Sequence, residues 1–214
     1  MSAEFWAFAT AAAVVVLLLS ELRNFRPGVF VAKPAASTGF LLVALASGAA
    51  DSSYGRWVLA ALAFSWLGDV LLIPKGARAT FLAGLVAFLL GHLLFAVAFV
   101  GLGLDGAWLA AAALFALVAL AIALRWLMPH VEGGMVWPVR AYVAAISVMV
   151  VGAAGATGHT GVHLVLAGAL LFYVSDLAVA RERFVAKAFT NKLWGLPTYY
   201  GGQVLLALSV ASFS

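Results

Sequence analysis

Apolar residues fall in blocks of about twenty along this chain, separated by short clusters of Pro, Gly and charge. The first block reads FWAFATAAAVVVLLLS and ends at ELRNFRPG; later breaks read PKGARAT, MPHVEGGMVWP and RERFVAKAFTNK. A block of about twenty residues is what a helix needs to cross a hydrocarbon core about 30 Å thick. The pattern predicts eight such helices, over residues 4–20, 33–50, 56–73, 80–102, 105–127, 137–155, 160–180 and 195–213. No connection is long enough to separate two domains, so residues 1–214 are expected to form a single all-α transmembrane domain. The first block carries Glu4 and no basic residue before it, and no small-x-small cleavage pattern precedes Glu21, so it is expected to be a retained helix.

Composition agrees with the pattern. The 214 residues are 66% hydrophobic and 9% charged, against about 25% charged in a soluble domain. The absence of cysteine excludes disulfides and thiolate chemistry. The net charge of +4 does not point to nucleic acid, because the basic residues sit in short loops between apolar blocks. Eleven of the twelve lie in or beside the loops after helices 1, 3, 5 and 7: Arg23, Arg26, Lys33, Lys75, Arg78, Arg125, Arg140, Arg181, Arg183, Lys187 and Lys192. Only Arg56 falls on the other side. The positive-inside rule then places those four loops in the cytoplasm and both termini outside, in a bacterial cell membrane. That arrangement requires an even number of helices.

The polar residues inside the apolar blocks carry the candidate chemistry. Asp69 interrupts FSWLGDVLLIPK and Asp176 interrupts LFYVSDLAVARER. An Asp at the centre of a spanning helix costs about 2.5–3.5 kcal/mol on the insertion scale, and such residues mostly face the bundle interior. Helices 3 and 7 run in the same direction, so both carboxyl groups are expected at similar depth in the cytoplasmic half. Lys33 opens helix 2, Arg140 and Tyr142 lie on the first turns of helix 6, and Ser175 adjoins Asp176. Tyr199 and Gln203, spaced i and i+4, share a face near the start of helix 8, while His92 lies deeper, near mid-bilayer. Together they describe a polar cavity open to the cytoplasmic leaflet. Each has a plainer reading: Asp176 stands five positions before Arg181 and can pair with it, and a lone His on an apolar helix is often a hydrogen-bonded core residue. His159 and His163 have a metal-ligating spacing, but at the outer end of helix 7, far from the aspartates; they are expected to be interfacial, and no metal site is expected.

Asp69 and Asp176 are separated by half the length of the chain, and the same offset relates Lys33 to Arg140 and His92 to Tyr199. Helices 2 to 4 would then correspond to helices 6 to 8, in a 4+4 parallel repeat about an axis along the membrane normal. Coincidence among apolar helices is the alternative.

The order and spacing of several motifs resemble the YhhN-like, or lysoplasmalogenase, family of eight-helix membrane proteins. These are KP at Lys33–Pro34, LGD at Leu67–Asp69, FLAGLVAFLLGHLLF on helix 4, RAYVAAISVMV on helix 6, GALLFYVSD ending at Asp176, and TYYGGQ at Thr198–Gln203. Gly201–Gly202 departs from the pattern, where a bulkier residue is expected before the Gln; the pair is expected to loosen helix 8. The resemblance implies a cofactor-independent hydrolase that cleaves the vinyl-ether bond of lysoplasmalogens to a fatty aldehyde and a glycerophospho-base, with Asp69 and Asp176 catalytic. Its partners would be a lysophospholipid substrate and membrane lipids. Vinyl-ether hydrolysis needs a proton on carbon and then water on an oxocarbenium ion, and two carboxyl groups in different protonation states can serve both steps, as in glycoside hydrolysis. Lys33 or Arg140 would hold the phosphate, and His92, Tyr142, Tyr199 and Gln203 would hydrogen-bond around the aspartates. The residues also allow a proton-coupled transporter or a lipid-binding protein that uses the same aspartates.

Overall fold

The computed structural model describes residues 1–74 and 78–214. Among these residues lie eight α-helices: α1 Ala3–Leu22, α2 Arg26–Ala46, α3 Ser53–Leu71, α4 Arg78–Gly101, α5 Gly106–Leu127, α6 Val136–Thr160, α7 His163–Ala180 and α8 Phe189–Ser209. A π-helical turn, Arg181–Val185, continues α7. No strand occurs among the described residues. Lys75, counted above among the loop cations, lies outside them.

Local chemistry sets several of the helix ends. Ser2, Ser52 and Asp105 cap α1, α3 and α5 by accepting from the backbone N–H three residues on. Gly161, at φ +73°, ends α6 in the left-handed conformation that glycine adopts without strain. That end falls later than the apolar pattern predicts. His159 therefore closes α6 while His163 opens α7, and the two are not neighbours on one helical face.

Two starts also move. Helix α2 begins at Arg26, not Lys33, because Pro27 in its first turn is a helix-starting residue that reads as loop in sequence. Lys33 thus sits two turns inside α2, beside the internal Pro34. Helix α8 begins at Phe189, so Tyr199 and Gln203 lie in its middle, past the internal Pro197.

Six helices, α1, α2, α4, α5, α6 and α7, are long and apolar enough to cross a membrane. The other two, α3 and α8, carry Arg56, Asp69, Asn191, Lys192, Thr198 and Gln203. Both lie against several neighbours: α3 packs on α2, α4 and α8, and α8 on α1, α2, α3 and α7. Asp69, Asn191 and Gln203 are thereby buried in protein, while Arg56 is exposed near the start of α3. By contrast α5 is peripheral, with only Ala123 and Leu127 buried.

The neighbour pattern of the first four helices recurs in the last four. Helix α1 packs on α2, α2 on α3 and α3 on α4; likewise α5 packs on α6, α6 on α7 and α7 on α8. Between the halves, α4 packs on α6 and, correspondingly, α8 on α2. Gly202 belongs to the α7–α8 seam. A Cβ there would come within 2.8 Å of the Gly168 carbonyl and 3.0 Å of the Phe172 nitrogen. Gly202 therefore does not loosen α8, as its sequence context suggests; it lets α8 seat directly on the α7 backbone.

Candidate active site

Three donors converge on Asp69. Lys33 Nζ lies 3.2 Å from Oδ1, Ser37 Oγ donates to Oδ2 at 2.6 Å, and Tyr199 Oη donates to Oδ2 at 2.7 Å. Asp69 as a whole residue is 2% exposed. Ser37 follows Lys33 by one turn of α2, so both reach the same face. Tyr200 completes the cluster, its hydroxyl 3.2 Å from Ser37 Oγ and donating to the Lys33 carbonyl at 3.3 Å. A buried carboxylate needs a countercharge and hydrogen bonds on its lone pairs, and this set supplies both.

Asp176 is held differently. His92 Nε2 stands 3.4 Å from its Oδ2, close enough to pair but not aligned as a hydrogen bond. Tyr142 is within hydrogen-bonding reach of Asp176 and within electrostatic reach of Asp69. The His92 ring stacks on Phe172 at 4.3 Å and meets Tyr142 edge-on at 5.2 Å. Arg181, five residues on, is not the partner of Asp176: its guanidinium donates to Asn191 Oδ1. Asn191 in turn donates to Glu182 and to the Ala186 carbonyl, which ties the π turn to the start of α8.

The two contacts occupy matching places in the two halves. Tyr199 of α8 meets Asp69 of α3, and His92 of α4 meets Asp176 of α7. The half-chain offset that relates the two aspartates also relates His92 to Tyr199. Lys33 and Arg140 break the match. Arg140 is exposed and lies over the ring of Trp137 at 5.3 Å, outside the cavity.

Both carboxyl groups line one cavity of ≈ 450 Å³, with Lys33, Tyr142, Ser175 and Tyr199. Its walls are apolar, from Leu72, Phe81, Leu85 and Phe88 on one side to Trp126 and Leu127 on the other. Arg183, Lys187 and Lys192 line it at the basic end of the bundle, where Lys192 pairs with Glu21 at 2.7 Å. The Ser175 hydroxyl is committed to the Phe172 carbonyl at 2.7 Å. His92 and Gln203 are fully buried outside the cavity lining. Neither ring nitrogen of His92 and neither amide atom of Gln203 hydrogen-bonds to another described residue. Among the described residues no three His, Asp or Glu side chains gather as metal ligands.

The sequence pattern brought Asp69, Asp176, Lys33, Tyr142, Ser175 and Tyr199 to this cavity but missed Ser37 and Tyr200. Ser37 was legible as the i+4 neighbour of Lys33. Tyr200 lies inside the TYYGGQ motif but one position away from Tyr199, on a face that only the α2–α8 packing identifies.

A model of the YhhN family matches residues 28–210. The chain belongs to the YhhN family. It is 31% identical over 163 residues to lysoplasmalogenase TMEM86A of Bos taurus, covering 71% of this chain and 64% of that protein. It is 33% identical to lysoplasmalogenase TMEM86B of Homo sapiens over 171 residues, 80% of this chain and 69% of that protein. A lysoplasmalogenase of Mycobacterium bovis is also 33% identical, over 80% of this chain and 66% of its own length. The chain thus spans less than two thirds of the bovine protein it matches. No solved structure matches it. With its membrane-spanning helices, this family member is an integral membrane protein.

Proposed function

We propose that the chain hydrolyses the vinyl-ether bond of lysoplasmalogen-type lysophospholipids. One observation carries this reading: two carboxyl groups with unlike partners line a single cavity with apolar walls and a cationic mouth. The names of the relatives support the substrate class.

Asp176 is the acid in this reading. Its side chain is the more exposed of the two to the cavity, 14% against 3% for Asp69, and no lysine pairs with it. In its protonated form Asp176 transfers a proton to the alkenyl carbon remote from oxygen, and the adjacent carbon becomes an oxocarbenium ion. Lys33, Ser37 and Tyr199 each favour the carboxylate form of Asp69, and in that form it stabilises the cation through its charge. Water then adds to the cation and yields its proton to the Asp176 carboxylate, which restores the acid. The hemiacetal collapses to a fatty aldehyde and the glycerophospho-base. His92, buried beside Asp176 with no hydrogen bond to its ring nitrogens, is suited to hold water behind the acid.

Because Lys33 is engaged by Asp69 and Lys192 by Glu21, the phosphate falls to Arg183 and Lys187 at the mouth. The basic end of the bundle faces the cytoplasm in this reading, with both termini outside.

The test is aldehyde release by purified protein in detergent, from matched lysolipids with vinyl-ether, alkyl-ether and ester links. Hydrolysis of the vinyl ether alone is expected. The matched halves favour a second reading as a proton-coupled carrier, since repeats about a membrane-normal axis build many transporters. A carrier needs two compartments, so it would release no aldehyde in detergent and would move its cargo only in sealed vesicles.

A further inference from the structure

A groove of ≈ 620 Å³ runs along the lipid-facing side of α5, α6 and α7. Five alanines of α5, Ala107, Ala111, Ala112, Ala116 and Ala119, leave the space that larger side chains would fill. The groove continues the active-site cavity. On α6 the cavity is lined up to Ile146, and the groove starts at the next residue, Ser147. On α5 the groove is lined up to Ala119 and the cavity takes over from Ala123. On α7 Tyr173 lines both, so it forms the partition between them. Its hydroxyl is within hydrogen-bonding reach of Ser147, the first groove residue of α6. The cavity occupies the basic end of the bundle and the groove the opposite half.

We propose that this groove is the binding site for the hydrocarbon chain of the substrate, which passes Tyr173 on leaving the acid site. The proposal rests on the hydrolase reading above. A lysophospholipid has a single chain, attached on the far side of the scissile bond from the phosphate. With the phosphate at the cationic mouth and the bond at Asp69 and Asp176, the chain must point away from the mouth. Along α5, α6 and α7 the lining that follows the cavity in that direction is this groove. Its length fits. Ala107 to Ala119 span about 18 Å at 1.5 Å of rise per residue, and one leaflet of hydrocarbon is about 15 Å deep. Its chemistry also fits: apart from the Ser147 and Tyr173 hydroxyls and the Trp108 ring, every lining residue is aliphatic or Phe115.

The test compares kcat/KM for vinyl-ether lysolipids of long and short chain. Ala116→Trp should fill the groove and lower the long-to-short ratio about tenfold or more. Leu117→Trp, at a lipid-exposed position outside the groove lining, should leave the ratio as in wild type. An unchanged ratio in Ala116→Trp overturns the proposal, as does an equal loss for both lengths or the same shift in Leu117→Trp. A groove filled by a second copy of the chain would give the unchanged ratio. A second measurement needs no turnover. A lysolipid with a nitroxide at its chain end should quench Trp108 fluorescence, be displaced by unlabelled lysolipid, and lose the saturable part in Trp108→Phe. Quenching that never saturates reports bulk lipid and overturns the chain site. Wild type inert on every lysolipid refutes the hydrolase reading; the quenching then decides the groove by itself.

Discussion

Tyr199 donates a 2.7 Å hydrogen bond to Asp69 from the other half of the chain. The bond joins α8 to α3, and Phe40, Phe88 and Phe172 pack against the tyrosine ring. Ring position is thus fixed by packing, and the hydroxyl alone can be removed. Tyr199→Phe should keep the fold and cut kcat about tenfold, the effect of one lost bond to a buried charge. Steady-state kinetics on the vinyl-ether lysolipid check it; full activity would show that Tyr199 does not position Asp69.

Asp69→Asn and Asp176→Asn should each lower turnover by about 100-fold or more, but they should differ in stability. Asp69→Asn leaves Lys33 without its countercharge inside the bundle, a loss on the scale of about 3–5 kcal/mol for a broken buried pair. Asp176→Asn strands no lysine. Thermal unfolding of the purified variants should show a clearly lower Tm for Asp69→Asn alone. Equal Tm values would argue against the Lys33–Asp69 pair.

Lys33→Ala should lower kcat with little change in KM, because the ammonium faces Asp69. Lys187→Ala and Arg183→Ala should do the reverse and raise KM. A Lys33→Ala enzyme with normal kcat and a raised KM would return the phosphate to Lys33.

Arg140→Ala should leave kcat and KM within about twofold of wild type, as expected for an exposed residue away from such features. Its guanidinium lies over Trp137 on the outside of the bundle. A large rise in KM would place it at the headgroup after all.

A reporter fused after Ser214 should give periplasmic and not cytoplasmic activity, with the basic end of the bundle inward. Strong cytoplasmic activity would move the cavity mouth to the opposite leaflet.

Eight helices were legible in the sequence because apolar blocks and their breaks obey the length of a bilayer. Boundaries were less legible where a residue has two meanings. Pro27 reads as a loop but starts α2, and the α6–α7 break was misplaced because His159 and His163 look like one helical face until Gly161 takes a positive φ. Asp69 and Asp176 stood out because a carboxyl group within a spanning helix is costly to insert. Their partners were harder to see. Ser37 and Tyr200 are ordinary on their own helices and acquire a role only when α2, α3 and α8 meet. Arg140 misled for the opposite reason: the half-chain offset matched it to Lys33, yet offset fixes the position of a backbone and not the direction of a long side chain.

The mismatch between Lys33 and Arg140 has a chemical consequence. Two four-helix units with identical side chains, paired about a two-fold axis, would present two interchangeable acids. Either could then hold the proton that the pair shares, and neither would have a fixed role. In this chain a single cation turned inward on one side and outward on the other lifts that degeneracy. In the proposed reaction, a fixed division of labour between the two carboxyl groups would begin with where that lysine points.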